Sequence, residues 1–583
     1  MRCPEGPGRS SVFQRPPRAS MCSLLPPRTE EQQGMRASAG PCWFKRVPCA
    51  SLAVLIASGA YFALFYHVPL SSPDEGLIAS AAERILRGQV PYRDFFSELG
   101  PGSFYLQAAI FKLAGINISV LRLTAWFLGV ALSGLIFYLS RQLMGTLAAF
   151  LPPLVFVTIC YPHYDQISHH WWGNFFFLLM VLCLSGRAKG ARGNNPTWSK
   201  PPLFLAGMLS AATALCMQSK GAWAVLIGLI WLVVMERWPD GQTWRGAIRR
   251  SAAQGFYFLL GVGIATGLMA GYFGARGGLW GWVQDNLVFL LTNYRPYESV
   301  PNAYSWARLT RLISWLLRDH SEWALSYVVD FYFFALVGPA IAFAGAAWQL
   351  LRPERVEFPR SHLLSLYLLG GLGSLFSELH ASNTYHFVSA SPLMLILLVH
   401  SCLWAYRRWG WLRGPLWAAA GVTLIFAVFG ARLAFTHFVS SQVPVSCRRG
   451  TVYRAADTAA EFQQWITAIE NAVPAGEETF FFPYDASLYF LTGTQNPTRY
   501  DVLLAGFHSP QQVEEAIRTL RWRRPRYIFS FDQIERYTVR THLPDDEPDL
   551  LAMHPVEQFL RGPDSLYRLE REVEGLEVWT LKK

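Results

Sequence analysis

The stretch SSPDEGLIASAAERILRGQVPYRDF, residues 71–95, sets two adjacent carboxylates, Asp74 and Glu75, directly after a long apolar run. A carboxylate can take the proton of a hydroxyl as a new bond forms, which is general-base work. It can equally cap a helix: Ser72 suits the N-cap, Pro73 the first helical position, and Ser72 with Glu75 spells a capping box. Three further short stretches carry residues of the same kind. YPHYDQISHH (161–170) offers His163 and Asp165 together with His169 and His170, MQSKGAW offers Lys220, and SELHASNTYH (377–386) offers Glu378, His380 and His386. Imidazoles beside a carboxylate can ligate a metal ion, but their spacing matches no closed zinc pattern, and hydrogen bonding at a wet interface is the alternative.

The elements that position these residues follow from composition. Of 583 residues 52% are hydrophobic and 16% charged, with 22 Trp, 24 Tyr and 40 Phe, far more apolar side chain than one soluble core needs. Eleven apolar stretches approach the ~20 residues that cross a bilayer: 47–66, 119–140, 143–160, 171–186, 201–217, 222–236, 253–275, 325–350, 362–377, 387–405 and 415–437. The loops 187–200, 237–250 and 406–414 are rich in Lys and Arg and fall on one side, which should be the cytoplasm. Asp74, segment 161–170, Lys220, segment 377–386 and everything after about residue 438 then face outward together. The net charge of +11 does not indicate a nucleic-acid partner, because the basic residues are dispersed among short loops rather than gathered into one patch with stacking aromatics.

Residues 1–40 are rich in Pro, Arg and Ser without hydrophobic periodicity, and are expected to form a disordered cytoplasmic tail rather than a signal peptide. The membrane domain is expected over 41–438 and an extracytoplasmic α/β accessory domain over 439–583. In the latter, ETFFFPY and RYIFSF read as buried strands, and SPQQVEEAIRTL reads as a helix capped by Ser509 with Pro510 at its first position. A terminal hairpin turns at Glu574-Gly575. The nine cysteines are scattered and form neither a disulfide framework nor a CxxC metal site. Two amphipathic stretches are expected to lie flat in the interface: the segment after Asp74, with Leu77, Ile78, Ala81, Ile85 and Leu86 on one face, and residues 303–323. Together they form a shelf for a substrate whose lipid part stays in the bilayer.

The order of a first span, an outward Asp-Glu, an amphipathic segment, GQVPYRDF, GPGSFYLQAAIFKLAG and then LRL opening the second span resembles the membrane glycosyltransferases of the GT-C superfamily. The closest likeness is to the bacterial branch of protein O-mannosyltransferases, the aminoarabinose transferase of lipid A and the rhizobial core-sugar transferases. It covers residues 47 to about 405 and is strongest over 73–101. The resemblance implies transfer of a sugar from a polyprenyl-phosphate carrier to a hydroxyl acceptor, carried on a lipid, glycan or protein. Transfer would take place on the outer face of the plasma (inner) membrane, with inversion.

Under that resemblance Asp74 is the catalytic acid of the first loop, with Glu75, Asp165 and His163 forming the acceptor or metal neighbourhood. Lys220 would meet the donor phosphate, helped by Arg84 and Arg93, and Glu378, His380 and His386 would line the rest of the pocket. Snorkelling of Lys220 at a helix end is the plainer reading of that residue. Metal dependence varies within the superfamily, so a divalent cation, Mg or Mn, is the one cofactor implied. A transporter or flippase of lipid-linked saccharides is the competing class. Such proteins place ionisable groups and helix breaks near mid-membrane in related halves, and no internal repeat is evident here.

Overall fold

A computed structural model describes residues 49–67, 73–160, 166–190, 200–237, 244–294, 306–318, 328–352, 358–379, 384–440, 442–482, 486–503, 507–531 and 554–583. Ser72, His163, Asp165 and His380 lie outside these residues, as do the amino-terminal residues before 49 and residues 295–305.

The membrane part runs α1 (Cys49–Ala63), α2 (Pro73–Leu86), α3 (Pro101–Ala114), α4 (Ile118–Leu143), α5 (Thr146–Cys160), α6 (His169–Gly190), α7 (Lys200–Cys216), α8 (Gln218–Arg237) and α9 (Trp244–Ala275). It continues with α10 (Trp306–Arg318), α11 (Val328–Leu350), α12 (Phe358–Glu378), α13 (Thr384–Arg408) and α14 (Arg413–Phe435). Five stretches among the described residues are long and apolar enough to cross a bilayer: Ile118–Leu143, Ile248–Ala275, Val328–Leu350, Thr384–Arg408 and Gly410–Arg432. Helices α1, α5, α7 and most of α8 are shorter apolar helices. Helices α6 and α12 occupy the expected spans 171–186 and 362–377, and their polar ends carry His169, His170 and Glu378.

Close helix approach depends on small residues. A Cβ on Gly221 would lie 2.1 Å from Ala214 Cα, so only glycine lets α8 fold back onto α7 immediately after Lys220. Within α13, Pro392 cannot donate to the Val388 carbonyl one turn back. The Ser391 hydroxyl donates to that carbonyl instead, at 2.7 Å.

After α14 the chain forms a hairpin of β1 (Gln442–Cys447) and β2 (Gly450–Ala455), which the sequence reading did not anticipate, and then α15 (Ala456–Ala472). A four-stranded sheet follows in the order β3 (Phe480–Phe482), β4 (Tyr527–Phe531), β6 (Leu576–Leu581), β5 (Tyr567–Val573), with only the β3–β4 pair parallel. Helices α16 (Ala486–Thr492), α17 (Pro510–Arg523) and α18 (His554–Arg561) accompany it. Ser509 caps α17 in a full capping box with Gln512, and Glu574 and Gly575 turn the last hairpin with φ of 50° and 77°.

The expected shelf along α2 is corrected. Ile78 and Ala81 are buried as the pattern requires, but Ser80, Glu83 and Arg84, expected on the wet side, are buried too. Helix α3 covers one side of α2 and α16 another. A Cβ on Gly76 would sit 2.7 Å from the Ser487 backbone nitrogen. The polar face of α2 is satisfied by protein partners rather than by water.

Candidate active site

Asp74 stands in the first turn of α2 and keeps a side-chain exposure of 20%. Its Oδ2 lies 3.2 Å from His169 Nδ1 and 3.4 Å from Ser168 Oγ, just where α6 begins. The Ser168 hydroxyl also accepts the His170 backbone N–H at 3.1 Å, which fixes the start of α6 and the direction of both imidazoles. The His169 and His170 rings lie 4.1 Å apart between centroids, and the His386 ring meets His170 edge-on at 4.7 Å.

Glu75 points the other way. Its Oε1 accepts from Arg122 Nη1 at 2.9 Å, with the carboxylate fully buried. The expected capping box involves Ser72, which lies outside the described residues; among those described, the acid at the third helical position is paired with α4. Burial pushes the Glu75 carboxyl above the usual carboxylate range, while the Arg122 charge and the Ile167 backbone amide pull it down. Two adjacent residues of one helix turn thus have separate environments, one reachable and one sealed.

Deeper in, α6, α8, α12 and α13 contribute to a closed polar cluster. Lys220 and Glu378 are both fully buried, with Nζ 2.8 Å from Oε1. Nζ also donates to Asn174 Oδ1 at 2.7 Å and to Ser389 Oγ at 3.1 Å, and Ser389 Oγ donates to Glu378 Oε1 at 2.6 Å. The other carboxylate oxygen of Glu378 lies 2.8 Å from His386 Nδ1 and 3.3 Å from His170 Nδ1. The ammonium of Lys220 is thereby engaged by protein acceptors on every side the structure describes. Asn174 and Ser389 were not singled out in the sequence, although each sits one helical turn from a histidine that was, His170 and His386.

Arg84 and Arg93 are not brought to this cluster. Arg84 Nη1 lies 2.5 Å from Asp501 Oδ1 and its Nε donates to Gln89 at 2.6 Å. Arg93 is 42% exposed, pairs with Asp94 at 2.6 Å and donates to the Arg276 carbonyl at 2.8 Å. Of the sequence candidates, the structure gathers Asp74, Glu378 and His386 around His169 and His170, and places Lys220 behind Glu378.

Two overlapping trios could converge on a metal ion: Asp74 with His169 and His170, and His170 with Glu378 and His386, each with one ligand atom per residue within 4.8 Å of the others. The second trio is poorly suited to a cation, because the Lys220 ammonium already sits 2.8 Å from its carboxylate. The first reaches solvent through Asp74, whose side chain is 20% exposed.

Neither a protein-family model nor a curated protein matches the sequence. Solved structures do match. AglB, the archaeal oligosaccharyltransferase from Archaeoglobus fulgidus, solved with an inhibitory peptide and a dolichol-phosphate, aligns with a TM-score of 0.52 at 11% identity over 91% of this chain and 74% of its own. ArnT from Cupriavidus metallidurans bound to undecaprenyl phosphate gives 0.50 at 13% identity, over 91% of this chain and 97% of that one. Its apo form gives 0.51 at the same identity and coverage. These likenesses define the architecture: a polytopic α-helical membrane protein carrying a C-terminal α/β region. The fold is that of AglB and ArnT.

Proposed function

We propose that the protein is a glycosyltransferase that moves a sugar from a polyprenyl-phosphate carrier to a hydroxyl acceptor at the outer face of the plasma (inner) membrane, inverting the anomeric carbon. The observation that carries this reading is the meeting of Asp74 with His169 and His170 at a partly open position, in a chain with the fold of AglB and ArnT. The solved forms of those two hold dolichol-phosphate and undecaprenyl phosphate, lipid phosphates of the class assigned here to the donor. The motif order over residues 73–101, which resembles the branch of protein O-mannosyltransferases, the aminoarabinose transferase of lipid A and the rhizobial core-sugar transferases, supports the same reading.

In the reaction the acceptor oxygen attacks the anomeric carbon, the bond from that carbon to the phosphate oxygen breaks, and the polyprenyl phosphate departs with the bonding electrons. Asp74, held 3.2 Å from His169, takes the acceptor proton. A divalent cation fits beside it: Asp74, His169 and His170 would hold it, and two imidazoles with one carboxylate favour Mn over Mg. Such an ion would supply positive charge that stabilises the departing phosphate. Lys220 is too deeply enclosed to do so directly, and its part is to fix Glu378 and, through Glu378, His170 and His386.

The test is transfer in membranes containing wild-type protein or Asp74→Asn, with radiolabelled polyprenyl-phosphate hexose, pentose or aminopentose and with mass spectrometry of envelope glycolipids and glycoproteins. Wild type should add one sugar to a defined acceptor and Asp74→Asn should not, at equal expression and thermal stability. Equal transfer by both would remove the assigned base. Movement of the labelled carrier across the bilayer without a new glycosidic product would make the protein a transporter.

A further inference from the structure

The face of α2 that turns away from α3 is gripped by the C-terminal region. Asp501 is buried and accepts Arg84 Nη1 at 2.5 Å on Oδ1, Asn496 Nδ2 at 3.1 Å on the same oxygen, and Ser80 Oγ at 2.9 Å on Oδ2. Arg84 Nη2 reaches on to the Thr498 carbonyl at 3.1 Å. The adjacent Glu83 pairs both with Arg449 from the β1–β2 turn and with Arg87 one turn on in α2. These are buried charges on an element whose own sequence pattern calls for water, and each has its counter-charge in the region after residue 440.

We propose that the C-terminal region acts as a positioning element for the transfer reaction, and that Asp501 is its positioning residue, clamping α2 so that Asp74 meets His169. The proposal rests on the transferase reading for its catalytic half. The lever is the helix itself. Ser80 and Arg84 stand six and ten residues beyond Asp74, about 9 and 15 Å along the axis at 1.5 Å per residue. A tilt of about 4° about the Arg84 anchor moves the Asp74 end by about 1 Å. Misplacement by that amount can slow a reaction about 100-fold without touching the reacting groups.

A second contact constrains the same helix near its catalytic end. Gly76, two residues past Asp74, lies so close to the Ser487 backbone that a methyl group there would force α2 and α16 apart. On the far side, Phe111 of α3 stacks on Phe490 of α16 at 5.7 Å, so the layer beneath α2 is tied to the same part of the C-terminal region. The clamp therefore acts at both ends of α2, and Asp501 is its charged member. The Asp501 carboxylate is buried with three donors, two of them on α2, so removing it leaves the Arg84 charge buried without its counter-ion, a larger perturbation than losing an exposed ion pair.

The test uses the full-length protein in nanodiscs, with Asp501→Asn and Ser80→Ala as separate variants, the second removing one hydrogen bond while leaving the Arg84 ion pair. Two readouts are taken together: kcat and KM for the labelled carrier, and hydrogen exchange of the α2 amides against those of β4. Asp501→Asn should lower kcat about 10- to 100-fold with KM within about twofold, and α2 amides should exchange faster while β4 amides keep their wild-type rates. Ser80→Ala should move both readouts in the same direction by a smaller factor. Unchanged kcat with unchanged α2 exchange overturns the proposal, as does an equal rise of exchange in α2 and β4, which would mean that Asp501 only holds the C-terminal fold together. If wild type transfers no sugar to any acceptor, the transferase reading is what fails, while the exchange arm still decides whether Asp501 holds α2.

Discussion

Replacing Glu378 by glutamine leaves the buried Lys220 ammonium with neutral acceptors only, and the structure sets the size of that loss. At 2.8 Å and an effective dielectric constant of about 20 the pair attracts by about 6 kcal/mol. Asn174 and Ser389 continue to accept from the ammonium, at 2.7 and 3.1 Å, so part of its solvation survives. Breaking a buried pair from one side costs about 3–5 kcal/mol. For the compact unit Pro48–Lys583, an unfolding entropy of about 2.1 cal/mol/K per residue converts this into a fall of about 3–4 °C in midpoint. Lys220→Met should cost less, because Glu378 keeps Ser389 and the two imidazoles beside it. The double variant Glu378→Gln with Lys220→Met should recover to within about 1 °C of wild type, since no buried charge is then left alone. The measurement is thermal unfolding of the three variants in one detergent. Additive shifts, with the double variant worse than either single one, would show that the two charges are not partners and refute the reasoning.

Three further outcomes follow from the same geometry. Arg122→Gln should destabilise the protein by about 3–5 kcal/mol in detergent unfolding, because it leaves the buried Glu75 carboxylate facing no cation among the described residues, and adding Glu75→Gln should restore most of it; a harmless Arg122→Gln would return Glu75 to a capping role. Asp285 lies 3.5 Å from Arg499, and its carboxyl is pushed up to about 7 by burial, opposed by Arg499 and reinforced by Glu98 and Glu515. A raised acid binds its proton more tightly folded than unfolded, so stability should fall by about 4 kcal/mol as pH rises from about 4 to about 7, and Asp285→Asn should flatten that slope. Chelation should abolish transfer and Mn²⁺ restore it, with His169→Ala raising the half-activating Mn²⁺ concentration at least about tenfold; full activity in chelator would remove the ion from the mechanism.

The local signals in the sequence were reliable where the structure is local. The cap at Ser509, the turn at Glu574-Gly575 and the placing of Asp74 at a helix start depend on neighbours within four residues, and all three are found where the spacing puts them. What spacing could not reveal is pairing over long separations. Glu75 finds Arg122 across 47 residues, Lys220 finds Glu378 across 158, and Arg84 finds Asp501 across 417. Periodicity assigns a charged face to water because an unpaired charge cannot be buried. A paired one can, and nothing in a helical repeat announces the partner. Helix α2 was misread for that reason: its apolar stripe was legible, and its polar face looked wet although it lies against the C-terminal region.

The same pairing logic assigns the roles of the two trios that share His170. A cation held by Asp74 and His169 needs one nitrogen of His170, and the other must then be turned toward something that accepts its proton. His170 Nδ1 lies 3.3 Å from Glu378 Oε2, so Glu378 is placed to orient the ring for a ligand on the opposite side. A carboxylate behind a ligating histidine fixes its tautomer and raises its basicity. Glu378 could not serve as an effective orienting group if it floated, and Lys220, Ser389 and His386 are what hold it. On this argument the buried lysine acts at third hand, from Lys220 to Glu378 to His170. The functional part of the cluster is then the edge that Asp74 keeps open to solvent.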